Sequence, residues 1–416
     1  MITDYFEAPR ALERIRTGSA GPHIDLFADS FAGRGYSPHT VRGYIRAAVH
    51  VGRWADRVGI ECSAWDPAVL ERFRRHLSRC NCAHRNRGVF HGALAGARLF
   101  LSHLHSRGIV TLPIVTPNET RFAAISEQFA EWLRRHRGLA PSTVCRYQVA
   151  LQLFLAELGE DPAKYEVHGI RSFVIGHLGS LGREGTRTAV TAIRGFLRFL
   201  LAEGRIPSGL EHSVPTVPQW RLSSLPRYLE GADVERVINS CDLTRGQGLR
   251  DHAILLLLAR LGLRAGDITV MKSSDIDWHG GTLRVCGKGR REVRLPLPQQ
   301  VGDAVLEYLE RGRPNAVHDR LFLAANAPTR PFASSASVSD VVRFALKRAG
   351  IHNPPGHGAH LLRHSAATAM LRAGSSLDTI AMVLRHQSTD STAYYAKVDV
   401  AMLEQVAQPW PGGAAC

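Results

Sequence analysis

Lysine is scarce in this chain: Lys164, Lys272, Lys288, Lys347 and Lys397 are all there is, against 47 arginines. A GC-rich genome produces the same bias, so the arginine surplus carries little weight alone, and each lysine is worth more attention than usual. Cysteine is sparse as well. Its seven copies are scattered, and an odd number fits a reducing compartment better than a disulfide framework. No apolar run approaches the ~18 residues that a membrane-spanning helix needs. The opening MITDYFEAPRALERIR is mixed and charged, without the apolar core of a secretory signal. These absences argue against membrane and secreted classes, so a cytoplasmic protein with no membrane partner is expected.

Acidic residues are also in deficit. Against 52 Lys and Arg stand 37 Asp and Glu, a formal net charge of +15 with a pI near 10.0. A chain this basic most often meets a polyanion, and nucleic acid is the commonest one. In other respects the composition is ordinary for a globular protein, with 44% hydrophobic and 21% charged residues. A length of 416 residues leaves room for two or three domains.

One internal similarity is visible: GYSPHTVRGY from Gly35 resembles GLAPSTVCRY from Gly138. Each places proline just inside a helix start, after Ser37 or Ala140. Any two helical hairpins can look this alike. The alternative is two successive helical DNA-gripping modules, residues 1–115 and 116–218, the first holding 16 Arg against 9 acidic residues. From Pro207 to Pro226 the chain is rich in Pro, Ser and Val without helical period and reads as a linker. Beyond it, Asp251–Leu263 reads as an apolar helix, and Thr282–Cys286 and Glu292–Leu297 as two strands around a turn at Gly287–Arg291. Further helices are expected at Ser337–Ala349, His360–Ala373, Ser376–Leu384, Asp390–Tyr395 and near Val400–Val406. The expected fold is mainly α with a small β-sheet: helical N-terminal DNA-binding domains, then a mixed α/β domain over residues 225–416.

That last domain concentrates the chemistry. Arg264 follows the apolar helix at a Gly-Leu-Arg turn, and Lys288 lies between two glycines. His360 and Arg363, one helical turn apart, project from the same face. His386 ends a helix, and Tyr395 follows nine residues later. Singly, each has a plain explanation: exposed arginines are solvated, a helix-end histidine caps a dipole, and a tyrosine packs. Together, within ARLGLRAGDI, CGKGRREVRLPL, HLLRHSAATAML and LRHQSTDSTAYYAKV, they stand in the order of a known family. The region from Leu225 to Val398 resembles the catalytic domain of the tyrosine recombinases (phage integrase-like). Residues 116–218 are similar to that family's core-binding domain. The first 115 residues match it less clearly and look like an added arm-type or duplicated helical domain.

The resemblance implies a site-specific recombinase that cleaves and rejoins double-stranded DNA through a 3′-phosphotyrosyl bond, without a cofactor, as a homotetramer on two DNA sites. Accessory recombinase subunits, and a phage, transposon or chromosomal role, stay open. By the same resemblance Arg264 and Arg363 hold the non-bridging phosphate oxygens, a task that suits the planar guanidinium fork. Tyr395 is then the nucleophile and Lys288 the general acid for the leaving 5′-oxygen. His360 assists proton transfer at the tyrosine, and His386 hydrogen-bonds the phosphate. Asp267 matches the family's acidic position, with a plain helix N-terminal acid an equal alternative.

Tyr394 is the rival nucleophile. Adjacent helical positions point about 100° apart, so only one of the pair faces the phosphate, and the family's spacing from the His386 position selects Tyr395. Two departures are noted: LRH stands for Leu-Gly-His, and Lys397 where His is frequent. A type IB topoisomerase or a non-catalytic DNA-binding regulator of the same fold are the alternatives, and the complete residue set argues against the regulator. One cluster stands apart. Cys80, Cys82 and His84, with Cys62 upstream, could offer thiolate and imidazole to zinc. C-x-C is not the usual knuckle and no second pair follows, so no metal is expected.

Overall fold

The computed structural model describes residues 2–80, 90–111, 122–178, 181–216, 225–286, 292–386 and 390–397. Its contacts group the chain into two units, Met1–Thr111 with Leu222–Cys416, and Leu112–Arg221. Among the described residues no helix is long and apolar enough to cross a membrane.

The chain opens with five helices: α1 (Pro9–Arg16), α2 (Gly21–Asp29), α3 (Pro38–Arg57), α4 (Pro67–Arg79) and α5 (Phe90–Ser106). α3 starts where its sequence says it should. Ser37 Oγ accepts the Thr40 N–H at 3.1 Å, and Pro38 occupies the first turn, where a missing N–H costs nothing. α4 repeats the device, Asp66 Oδ1 accepting the Val69 N–H at 2.8 Å ahead of Pro67. Val41, Ile45, Ala48 and Val51 recur at helical spacing and are buried, forming the inner stripe of α3, which packs against α2 and α5. Phe27, Trp65 and Phe100 fill the middle edge-on, Phe100 lying 5.0 Å from Phe27 and 5.8 Å from Trp65 between ring centroids.

The second unit holds α6 (Ala123–Arg137), α7 (Pro141–Leu158), α8 (Val167–Leu178) and α9 (Arg183–Ala202). α7 begins at Pro141 like its counterpart α3, but Ala140 provides no side-chain cap, so the two motifs share the proline alone. Phe129, Phe154, Phe173 and Phe196 form a fully buried aromatic core. Leu210 and Val214, in the stretch expected to be a linker, pack into that core, and Arg194 Nη2 donates to the Val214 carbonyl at 3.0 Å.

After Leu225 come α10 (Gly231–Ile238), α11 (Gly246–Leu261), α12 (Ala265–Val270), β1 (Ile276–Asp277), β2 (Thr282–Cys286), β3 (Glu292–Pro296), α13 (Gln299–Glu307), α14 (Ser335–Arg348), α15 (Ala359–Arg372), α16 (Leu377–Leu384) and α17 (Asp390–Ala396). α11 is apolar all round because it is buried all round: α10, α13, α14 and α15 pack on it. Its polar first turn, Gly246–Arg250, is absent from the apolar reading, which begins the helix at Asp251. β2 and β3 pair antiparallel from Thr282↔Pro296 to Cys286↔Glu292, the expected hairpin, and β1 adds a third strand on the far side of β2. The turn carrying Lys288 and the expected helix near Val400–Val406 lie outside the described residues.

Gly96 sets the approach of α5 to α3, since a Cβ there would lie 2.6 Å from Ala47 Cβ and 3.1 Å from Tyr44 Cα. Neither neighbour is a flexible side-chain end. Gly96→Val should therefore destabilise the N-terminal helices by about 1–3 kcal/mol, read as an earlier urea transition; an unshifted transition would show that the helices have room to part.

Candidate active site

Four helix ends converge to build the site. α11 stops at Gly262, whose φ of 57° is left-handed and whose absent Cβ would lie 2.5 Å from Leu384 Cδ2. Glycine is required there twice, by conformation and by space. Two residues on, Arg264 takes the position before α12, and Asp267 Oδ2 accepts its backbone N–H at 2.9 Å. Arg363 rises from α15 into this corner and is buried. Its Nη1 donates to the Gly262 carbonyl and its Nη2 to the Leu384 carbonyl. One guanidinium thus meets the C-terminal ends of both α11 and α16, where helices leave carbonyls unpaired and carry partial negative charge.

α16 ends at Leu384, not at His386. Arg385 follows with a φ of 57°, the one left-handed non-glycine among the described residues, which explains why glycine is the commoner residue in the resembling motif. Its carbonyl accepts from Arg264 Nη2 at 3.0 Å. Its guanidinium pairs with Asp267 Oδ2, the two side chains only 6% and 7% exposed. Nε and Nη1 of Arg385 are buried with no hydrogen-bond partner among the described residues.

Three guanidiniums therefore crowd one carboxylate. Burial, then the Arg264 charge, brings Arg363 down to about 10, and burial followed by Arg385 lowers Arg264. Both remain cationic at neutral pH. The corner is electropositive, short of an anion, and rich in N–H donors.

α17 delivers the nucleophile candidate. Tyr395 is 2% exposed, and its hydroxyl lies 2.7 Å from His364 Nδ1. The His386 ring stacks parallel on Tyr395 at 6.1 Å, with its Nδ1 2.8 Å from Thr392 Oγ1. Burial pushes the phenol up to about 12, against the pull of Arg363. Burial also pushes His364 and His386 down to about 4, so both imidazoles are neutral at pH 7. In the tautomer that leaves Nδ1 unprotonated, His364 is a placed proton acceptor for the phenol. Tyr394 faces elsewhere, its hydroxyl donating to the Leu225 carbonyl at 2.8 Å.

Arg264, Arg363, His386 and Tyr395 are thus gathered in one place. Lys288 falls outside the described residues. His360, expected to serve the tyrosine, sits one turn before His364 with ring centroids 6.3 Å apart, and the contact to the hydroxyl belongs to His364. His364 was legible: it stands four residues after His360, hence on the same helix face. Arg385 stands in the sequence where the resembling motif has glycine, but its partner Asp267 lies 118 positions away and no local signal joins them.

The protonation states have a consequence for stability. His364 and His386 titrate lower folded than the ~6.5 of a free imidazole, so the unfolded chain takes up protons first. Stability should be full above about pH 6.5 and fall as the pH drops toward 4. His364→Gln should flatten that decline in thermal unfolding scans; identical pH profiles would contradict the buried neutral state.

The phage integrase family matches residues 227–402. Over 423 residues, covering 99% of each chain, the protein is 34% identical to "Putative integrase/recombinase y4rA" of Sinorhizobium fredii. It is 27% identical to the tyrosine recombinase XerD of Listeria monocytogenes over 293 residues, 67% of this chain and 96% of the other. Among solved structures it is similar to the XerH recombinase on its palindromic difH substrate, with a TM-score of 0.56, 18% identity and coverage of 82% and 94%. It is also similar to a lambda integrase dimer on a COC′ core site, with a TM-score of 0.53, 17% identity and coverage of 71% and 99%. Both structural likenesses are likenesses of fold. With a full-length relative above 30% identity, the chain belongs to the phage integrase family of tyrosine recombinases, which cleave and rejoin DNA.

Proposed function

We propose that Tyr395 attacks the scissile phosphodiester during site-specific recombination, forming a 3′-phosphotyrosyl bond and releasing a 5′-hydroxyl. The observation that carries this reading is the Tyr395 hydroxyl held on neutral His364, beside three guanidiniums balanced by one carboxylate. As the phenol attacks, His364 takes its proton. Arg264 and Arg363 turn their remaining N–H groups to the two non-bridging oxygens, where negative charge grows. His360 and His386 are further hydrogen-bonding groups for the phosphate and its surroundings. Lys288, in the sequence joining β2 to β3, is the proposed general acid for the departing 5′-oxygen. The new ester conserves the energy of the old one, so neither ATP nor another energy source enters, and rejoining runs the same steps backwards.

Double-stranded DNA is the partner this chemistry needs. A net charge of +15 supports it, and residues 1–115 and 116–218 are the proposed helical modules that grip it. We also propose a homotetramer on two sites; a lambda integrase tetramer on a Holliday junction, to which 66% of this chain is similar at a TM-score of 0.52, supports that arrangement.

The test is a nicked suicide substrate, on which cleavage traps protein on DNA. Tyr395→Phe should abolish the covalent adduct and leave DNA binding nearly unchanged, whereas Tyr394→Phe should retain it. His364→Ala should slow adduct formation by roughly 10²-fold or more, the ordinary contribution of a placed base. Adduct should form without ATP or added divalent ion. Adduct from Tyr395→Phe, or its loss in Tyr394→Phe alone, would overturn the assignment.

A further inference from the structure

We propose that His50, His76 and Cys80 form a binding site for a zinc-class metal ion that fastens α3 to the C-terminal end of α4, separate from the recombination chemistry. Each residue offers one ligand atom, and the three atoms all lie within 4.8 Å of one another. His50 Nε2 is 3.4 Å from Cys80 Sγ. Tetrahedral zinc, with bonds of about 2.0–2.1 Å to nitrogen and 2.3 Å to sulfur, sets those two atoms about 3.6 Å apart. That edge of the coordination figure is already close to its tetrahedral length, and the other two are no longer than 4.8 Å.

The placement follows from the helices. His76 lies in the last turn of α4, and Cys80 follows directly on Arg79 as its C-cap with an extended backbone. His50 faces them from the middle of α3. Both imidazoles are held by aromatic rings: His50 stands edge-on to Phe73 at 5.2 Å, and His76 stacks on Trp54 and on Phe73, each at 5.9 Å.

The donor set selects the ion. Two imidazoles and a thiolate suit zinc or cobalt and are poor partners for magnesium or calcium, which take oxygen. Binding replaces the Cys80 thiol proton, released to solvent, so affinity rises with pH. Three protein ligands leave one position for water. Cys62, grouped with Cys80 in the sequence, is not in the trio; it is buried, its thiol pushed up to about 11. Cys82 and His84 lie outside the described residues.

The test uses the full chain, freed of any histidine tag, titrated with cobalt(II). One equivalent should bind and give a thiolate-to-cobalt charge-transfer band in the near ultraviolet, and zinc should displace it. Cys80→Ser should lose the band, and His50→Ala and His76→Ala should each weaken cobalt binding at least tenfold. A wild-type titration without the band overturns the proposal, as does a band that survives Cys80→Ser or affinity unchanged in both histidine variants. Should a variant fail to fold by circular dichroism, the wild-type chain still decides. Zinc must raise its Tm, and no rise means the three groups form only a hydrogen-bonded cluster.

Discussion

The catalytic half of this protein is organised around a buried cation that helix ends hold in place. Arg363 brings together the Gly262 and Leu384 carbonyls, and with them the ends of α11 and α16. Removing the guanidinium would leave two buried carbonyls without their donor, at about 1–3 kcal/mol each. Gly262 must be glycine for this to happen, because its left-handed backbone turns the carbonyl inward and a side chain would strike Leu384. The arginine that binds phosphate in the proposed reaction is also the bolt of the local fold. Binding and architecture therefore cannot be separated by mutation at Arg363, and the tyrosine and its neighbours are better places to probe chemistry.

Once Arg363 is fixed, charge dictates much of what surrounds it. Arg264 and Arg385 enter the same corner, and Asp267 stabilises both, accepting the Arg264 backbone N–H and the Arg385 guanidinium. Arg385 holds its position at a backbone cost of about 1–2 kcal/mol for a left-handed non-glycine residue. In return it adds a third guanidinium with donors not used by the rest of the described protein. The histidines stay neutral in this company, since burial and the neighbouring arginines both disfavour another positive charge. In the proposed reaction, that neutrality leaves His364 able to take the Tyr395 proton. One electrostatic condition thus leaves the corner rich in donors for an anion and keeps the imidazole beside the Tyr395 hydroxyl uncharged.

The N-terminal helices follow another logic. Their cores are aromatic and aliphatic, their starts are set by Ser37–Pro38 and Asp66–Pro67, and their surface arginines are plentiful. A metal at His50, His76 and Cys80 would add a cross-link where α4 ends, a point that packing alone secures weakly because a terminal turn has fewer neighbours than a helix middle.

Much of this was readable from residues in order. Ser37–Pro38 announced α3, the apolar run announced α11, and the strands around Gly287–Arg291 were placed to within a residue of β2 and β3, because caps, apolar periodicity and turn glycines act over a few positions. Arg264, Arg363, His386 and Tyr395 could be named through the family resemblance of the motifs around them, and the choice of Tyr395 over Tyr394 rested on that family's spacing from His386. The short helices α10, α12 and α13 are not among those expected from the sequence. What the tertiary structure decided is which side chains meet. Only folding brings Asp267 to Arg385, the Gly262 carbonyl to Arg363, His50 to Cys80, and His364 rather than His360 to the Tyr395 hydroxyl. The physical reason is range: local sequence sets the backbone within a turn or two, whereas burial, desolvation and proton affinity depend on groups 30 to 120 positions away that packing alone selects.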